Sequence, residues 1–298
     1  MPQCEEWWFF LGRRMYVEMS ETMDTISVII PTFNRSAQLV SCLEAIERQQ
    51  ADVQIQVCIA NDGGEPVQHV LEPFVGLDVQ VVDLPGRSGQ VAARNAALNR
   101  AEGDFVALCD DDDRWLPGHL AELLKACRTL EHGRGLAYTD TELVWIGTAT
   151  DNTDVLHREV FAFQDAKAML LHYNPIVPSS VLFSREMSKE LNGFDESMGH
   201  YWDWDFWLRA SGLGRIQRVA RCLTLYQIDV KGSNQSAVPE RMSPDLARLC
   251  QKHQLGEIPP SNFARMLKTS GLEHNRALSE VVWDGDKGIW QSQQPKGE

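Results

Sequence analysis

The sequence predicts an α/β fold, a mostly parallel sheet flanked by helices, followed by a small C-terminal helical appendage. Three observations carry this. Between residues 25 and 140, apolar runs of strand length alternate with amphipathic segments of helix length, the pattern of a parallel sheet covered on both faces. With 298 residues and 43% hydrophobic content the chain can bury a sizeable core. Phe33, Asp62 and a run of aspartates at 110–113 all follow strand ends, and ligands of open α/β sheets bind outside the carboxyl ends of strands.

The elements follow in order. Residues 26–30 form the first strand, stopped by Pro31. Residues 36–49 place Leu39, Cys42, Leu43 and Ile46 at helical spacing, with Ser36 as a cap. A second strand at 53–60 breaks at Asn61-Asp-Gly-Gly64, a short helix is expected at 66–74, and a third strand at 79–82. A helix over 88–101 leads into a fourth strand at 104–109. Residues 117–130 read as a helix with Pro in its first turn, and 135–145 as a strand. From about 150 the pattern loosens, and 151–165 reads as a loop. Residues 178–184 read as a strand, 193–196 as a turn, 203–211 as a helix ending at Gly212, and 215–226 as extended chain. Beyond about 237 helical patterning recurs at 239–253 and 262–269, and the last dozen residues are expected to be disordered.

The chemistry starts from the fourth strand, which ends in Asp110, Asp111, Asp112 and Asp113. Adjacent like charges repel, so a fold that keeps four carboxylates together at a strand end points to a shared cation. Continued alternation would aim Asp110 and Asp112 to one side and Asp111 and Asp113 to the other. Oxygen ligands suit Mg²⁺ or Mn²⁺, with water and substrate phosphate completing the coordination; the competing reading is a solvated acidic loop. Phe33, within Pro31-Thr-Phe-Asn-Arg35, suits stacking on a flat base, or burial in the core. Asp62 can accept from a base N–H, or close an Asx turn. Gly86-Arg-Ser-Gly89 ahead of a helix could bring backbone N–H groups to a phosphate, with Arg94 facing the cleft. No P-loop and no dinucleotide fingerprint is present. A second acidic group, Asp203 and Asp205, sits among Trp202, Trp204 and Trp207. A carboxylate in such surroundings should have a raised pKa and serve as a general base near neutrality. Its structural alternatives are a helix cap for Asp203 and a dipole-favoured first-turn position for Asp205. Trp204 and Trp207 suit packing or sugar stacking.

Composition narrows the partners. The net charge of −14 argues against a nucleic-acid groove. Seven cysteines without a C-x-x-C pair fit a reducing cytoplasm. The Trp7-Trp-Phe-Phe-Leu11 cluster is too short to span a bilayer; it suits a membrane surface, a partner, or local packing.

Taken together, Ser27-Val-Ile-Ile-Pro-Thr-Phe-Asn-Arg35, Asn61-Asp-Gly-Gly64, Ala93-Arg-Asn95, Ala101-Glu-Gly-Asp104, the aspartate run with Trp115 and Pro117, Gly193-Phe-Asp-Glu196 and Asp203-Trp-Asp-Phe-Trp-Leu-Arg209 resemble the family 2 glycosyltransferases of GT-A fold. The resemblance covers about residues 25–236. It implies a donor or nucleotide half at 25–115, an acceptor half at 116–236, an N-terminal extension at 1–24 and an appendage and tail at 237–298. It implies inverting transfer from a nucleotide-diphosphate sugar, UDP-linked in the first instance, to a glycan, glycolipid or glycoconjugate, with Mn²⁺ or Mg²⁺ bridging the diphosphate. It extends the acceptors to lipid-linked ones, and with them peripheral membrane or complex association. Pro31, Phe33 and Arg35 fall where the family holds the nucleotide, Asp62 at the base-reading carboxylate, and Arg94 in the donor site. Asp110, Asp111 and Asp112 fall on the D-x-D site, with Asp111 at the ribose and Asp112 on the metal. Asp203 falls on the acceptor-activating base.

Two positions depart from the family pattern. Trp202 replaces a common Glu before the base, implying a more aromatic acceptor pocket. Tyr226-Gln-Ile-Asp229 stands where many members carry a metal-binding His, so either Asp229 replaces it or the segment supplies no ligand. The alternatives are a nucleotidyltransferase, which would need a Gly-rich activated-phosphate loop near the N-terminus, and a sugar-nucleotide-binding scaffold without turnover.

Overall fold

Strand β1 (Thr25–Thr32) runs between β2 (Gln54–Asn61) and β4 (Phe105–Leu108), parallel to both, in a computed structural model that describes residues 23–49, 51–130, 135–149, 152–231 and 234–290. Successive side chains of a strand point to opposite faces, and here both faces are covered. Ile26, Val28, Ile30, Val57, Ile59 and Ala107 pack with Leu39, Leu43 and Ile46 of α1 (Ser36–Glu47) and Leu120 and Leu123 of α3 (His119–Arg128). Ile29, Cys58, Ala60, Val106 and Leu108 pack on the other side with Val91 and Ala97 of α2 (Gln90–Leu98) and Phe206 and Trp207 of α6 (Trp202–Leu213).

Beyond β2 lies β3 (Asp78–Asp83), again parallel. On the other side the direction changes: β8 (Val181–Ser184) is antiparallel to both β4 and β6 (Gly135–Ala149), and β6 runs parallel to β9 (Arg215–Asp229). The order is β10-β9-β6-β8-β4-β1-β2-β3, with β10 (Glu280–Val281) at one edge; β5 (Arg114–Trp115) pairs with β9 and β7 (Asn152–Phe161) with β6. The sheet is therefore mixed, with its parallel half at β4-β1-β2-β3.

Several elements differ from expectation. Residues 66–74 yield only a 3-10 turn, Gln68–Val70, because Pro73 disfavours helical backbone before it. Residues 151–165 are largely β7, an antiparallel partner for the extended β6; local polarity hides a strand whose hydrogen bonds come from the strand just before it in the chain. Helix α2 starts at Gln90 because Gly89 holds φ at 96°. The strand expected at 178–184 opens with a 3-10 turn, Pro178–Ser180. The segment after 237 packs into the same body. Leu246 and Leu249 of α7 (Ser243–His253) join the cluster holding Trp202 and Trp204, while Trp283 and Trp290 pack on Leu223 and Leu225. Residues 287–290 form a 3-10 turn, so part of the tail expected to be disordered is placed; residues 291–298 and the Trp7-to-Leu11 cluster lie outside the described residues. Among the described residues no helix is long and apolar enough to cross a membrane.

Candidate active site

The carboxyl ends of β1, β2 and β4 open into one cleft of about 920 Å³. Pro31 lies within β1, which runs on to Thr32 and is not stopped by the proline; Phe33 and Arg35 follow β1, Asp62 follows β2, Asp110, Asp111 and Asp112 follow β4, and Arg94 comes from α2. The opposite wall holds Trp202, Asp203 and Trp204 of α6, the 172–174 segment, and residues after 237 including Met242, Ile258 and Phe263. Nine of the ten site residues expected from sequence thus share one cavity.

The acidic run does not continue as a strand. Backbone pairing stops at Leu108 and the chain turns, so the expected alternation fails and Asp110, Asp111 and Asp112 all line the cleft. Arg94 pairs with Asp110. Thr32 Oγ1 donates to Asp111 Oδ2 at 2.7 Å, and Arg35 Nη1 bridges Asp111 Oδ1 at 3.0 Å and Asp112 Oδ2 at 2.8 Å. Asp113 turns away, accepting from Ser179 Oγ at 2.5 Å and the Gln227 amide at 3.1 Å, which ties the run to β9.

Burial, reinforced by the Asp112 charge, lifts Asp111 to about 7. Burial also raises Asp112 against the pull of Arg35, and raises Asp113 further with help from Asp112 and Asp110. The run is short of positive charge, and its donors are hard carboxylate oxygens, which fit Mg²⁺ or Mn²⁺. Among the described residues no three His, Cys, Asp or Glu side chains are grouped to hold a metal by themselves.

Of the two alternatives for the segment after Tyr226, the geometry favours the one in which it supplies no ligand. Asp229 does not line the cleft; its carboxylate accepts from the Lys231 amide in the turn that follows β9, while Tyr226, Asn234 and Ser236 reach the cavity instead. Extending β9 to Asp229, in register with Ile146 of β6, fixes that residue in the sheet margin.

On the wall built from β1 and β2, the Arg87 guanidinium lies 4.5 Å from the centre of the Phe33 ring. Asp62 accepts from the Ser88 amide at 2.6 Å and from the Gly89 amide at 3.0 Å. Two of the backbone donors expected to meet a phosphate are therefore engaged by Asp62. Gly63, at φ 75°, packs its backbone against Gly86 so closely that a Cβ would strike the Gly86 backbone, and the two turns form one unit.

On the opposite wall Tyr201 is the cap residue of α6, so Asp203 lies in the first turn and not at the cap. Asp203 is 6% exposed and accepts from Asn174 Nδ2 at 2.7 Å. Burial lifts it to about 6, against the Trp204 amide, Asn174 and the Arg94 charge. Asp205 behaves oppositely. Burial alone would raise it, but Arg209 at 2.8 Å, His253 at 2.8 Å and Lys252 at 2.6 Å hold it below the usual carboxylate range. Trp204 reaches the cleft and donates to the Leu170 carbonyl at 2.8 Å, whereas Trp207 is wholly buried in the core.

Sequence reading missed Asn174, Thr32 and the C-terminal wall. Asn174 belongs to no motif and meets Asp203 across 29 positions. Thr32 belongs to the first motif, and its hydroxyl at the end of β1 is the local hint of its role.

A sequence model of Glycosyl transferase family 2 matches residues 27–187. The uncharacterized glycosyltransferase YwdF of Bacillus subtilis (strain 168) is 36% identical over 262 residues, covering 88% of this chain and 96% of the relative. The amylovoran biosynthesis glycosyltransferase AmsB of Erwinia amylovora is 26% identical over 223 residues, covering 71% of this chain and 72% of the relative. In structure, S. aureus TarS 1-349 in complex with UDP-GlcNAc is similar at a TM-score of 0.56 and 19% identity, covering 82% of this chain and 70% of that one. The mannosyltransferase PcManGT of Pyrobaculum calidifontis, in complex with GDP-Man and Mn²⁺, is similar at a TM-score of 0.56 and 18% identity, covering 80% and 66%.

Proposed function

Because the chain belongs to glycosyl transferase family 2 and is a sugar-transferring enzyme of α/β, GT-A type, we propose that it moves a sugar from a nucleotide-diphosphate donor to an acceptor hydroxyl, with inversion and with a divalent cation. The observation that carries this reading is that one cleft holds an under-neutralised acidic run on one wall and a buried, ionisable Asp203 on the other. The UDP-GlcNAc and GDP-Man of the structural neighbours support a nucleotide-sugar donor, and AmsB supports an acceptor in polysaccharide assembly. UDP is the first nucleotide to test.

In this mechanism Phe33 stacks on the base after Arg87 leaves its face, Asp62 keeps the Ser88–Gly89 turn in place beside it, and Arg35 and Arg94 line the path to the phosphates. Asp112, with Asp110 and Asp111 beside it, would hold the cation, which would neutralise charge on the departing diphosphate. Asp203, oriented by Asn174, takes the proton from the acceptor hydroxyl as its oxygen bonds to the anomeric carbon and the bond to the diphosphate breaks. A value of about 6 leaves Asp203 mostly ionised at neutral pH and basic enough to accept that proton.

The test is incubation with Mn²⁺ and a panel of UDP-, GDP- and dTDP-sugars. Slow donor hydrolysis that releases the nucleoside diphosphate is the expected result. Pyrophosphate exchange would instead indicate nucleotidyl transfer, and binding without turnover a scaffold.

A further inference from the structure

Arg94 is enclosed where the two walls of the cleft meet. It is 3% exposed, and its guanidinium lies 4.1 Å from the centre of the Trp202 ring. Its edges pair with Asp110 and donate to the Gln90 carbonyl at 3.2 Å and the Gln90 side chain at 3.1 Å. Gln90 in turn donates to the Gly199 carbonyl at 3.4 Å, in the 3-10 turn Glu196–Tyr201 that leads into α6. Trp202 is itself wedged in place, 3% exposed and edge-on to Phe194 at 5.0 Å. A cation over an indole face is attracted by the ring quadrupole, most strongly where water is excluded. A neutral ring does this without capturing the guanidinium in a salt bridge, as a carboxylate at position 202 would.

The geometry points to Trp202 as a positioning residue that holds the Arg94 guanidinium between Asp110 on the donor wall and the base Asp203 on the acceptor wall. This rests on the reading of Asp203 as the base. One arginine then serves both halves of the cleft: it pairs with Asp110 and favours the ionised form of Asp203, the residue that follows its stacking partner. Without the indole, only the two Gln90 contacts oppose the pull of Asp110, and Arg94 shifts away from Asp203. The charged and titratable groups that act on Asp203 are Arg94 from α2 and Tyr201 from the preceding turn; His172 and His200 share the cleft, and His200 is committed to Asp245 at 2.7 Å.

The test follows the Asp203 carboxyl by carbon-13 NMR of aspartate-labelled protein, assigned with D203N. In W202M the midpoint should rise by about half a pH unit, roughly a threefold change in proton affinity. W202F, which keeps an aromatic face, should move it least. R94K keeps the charge but loses the planar fork; it should raise the midpoint, and it reads the same contact should W202M fail to fold. The double variant W202M/R94K should rise no further than R94K alone, because both changes break one interaction. An unmoved midpoint in W202M or R94K, or additive shifts in the double variant, would overturn the role of Trp202. This readout needs no substrate, so it stays separate from the donor panel, where absence of turnover by the wild type sinks the transfer reading instead.

Discussion

Residues 110–113 crowd four carboxylates at the end of β4, with Arg35 and Arg94 as the cations that touch their side chains. Asp203 and Asp205 share the first turn of α6, and their surroundings treat them unequally: Asp205 has three nitrogen partners, Asp203 an amide. The acidic run is left with charge that an outside cation can neutralise. In the helical pair, Asp205 is neutralised from within and Asp203 is kept proton-hungry. Burial acts on all of them, so what separates them is the number and charge of their partners.

The sharpest way to break this comparison is D203N. Removing the base should lower turnover by roughly a thousandfold while leaving nucleotide-sugar affinity near wild type, measured by calorimetry beside the hydrolysis assay. Wild-type turnover should also fall as pH drops through about 6, as Asp203 takes up its proton. Retained turnover in D203N would remove the asymmetry between the two walls.

Next in size is D112N, which should weaken Mn²⁺-dependent donor binding by roughly a hundredfold, the few kcal/mol that a metal contact to phosphate supplies. D229A should leave it unchanged, since Asp229 lies outside the cleft. Equal losses in both would place the metal site elsewhere.

D205N should spare the chemistry and cost stability, about 2 kcal/mol for charge-assisted hydrogen bonds lost from a buried site, read as a lower urea midpoint. The partners Lys252 and His253 belong to α7, so the loss also reports how firmly the C-terminal segment is anchored to the base-bearing helix.

The smallest effect concerns pH. Asp111 rises to about 7, and Asp112 and Asp113 are also raised, so the folded chain holds protons that the unfolded chain releases near pH 4. The stability these groups contribute is therefore complete below that pH and lost as pH rises towards 7. A divalent cation, if held as proposed, would replace the missing positive charge. Thermal melts should show a larger rise in Tm on adding Mn²⁺ at pH 8 than at pH 5, and an equal rise at both would contradict the charge deficit.

The parallel half of the sheet is written in the chain, where strand and helix signals are local, and so are the residues at its strand ends, because turns there expose polar groups next to apolar runs. Phe33, Asp62 and the aspartates are legible for that reason, and Arg94 from its place on the helix that follows Gly89. Tertiary structure alone decided the rest. β7 exists because β6 offers it hydrogen bonds. Asp113 left the cleft because Ser179 and Gln227 met it. Trp202 found Arg94 and Asp203 found Asn174 across gaps in the chain that no local pattern spans, and residues after 237 became a wall of the cleft by packing on α6. Local backbone preference can be read along one segment, whereas the partner of a buried charge is chosen only when distant segments close around it.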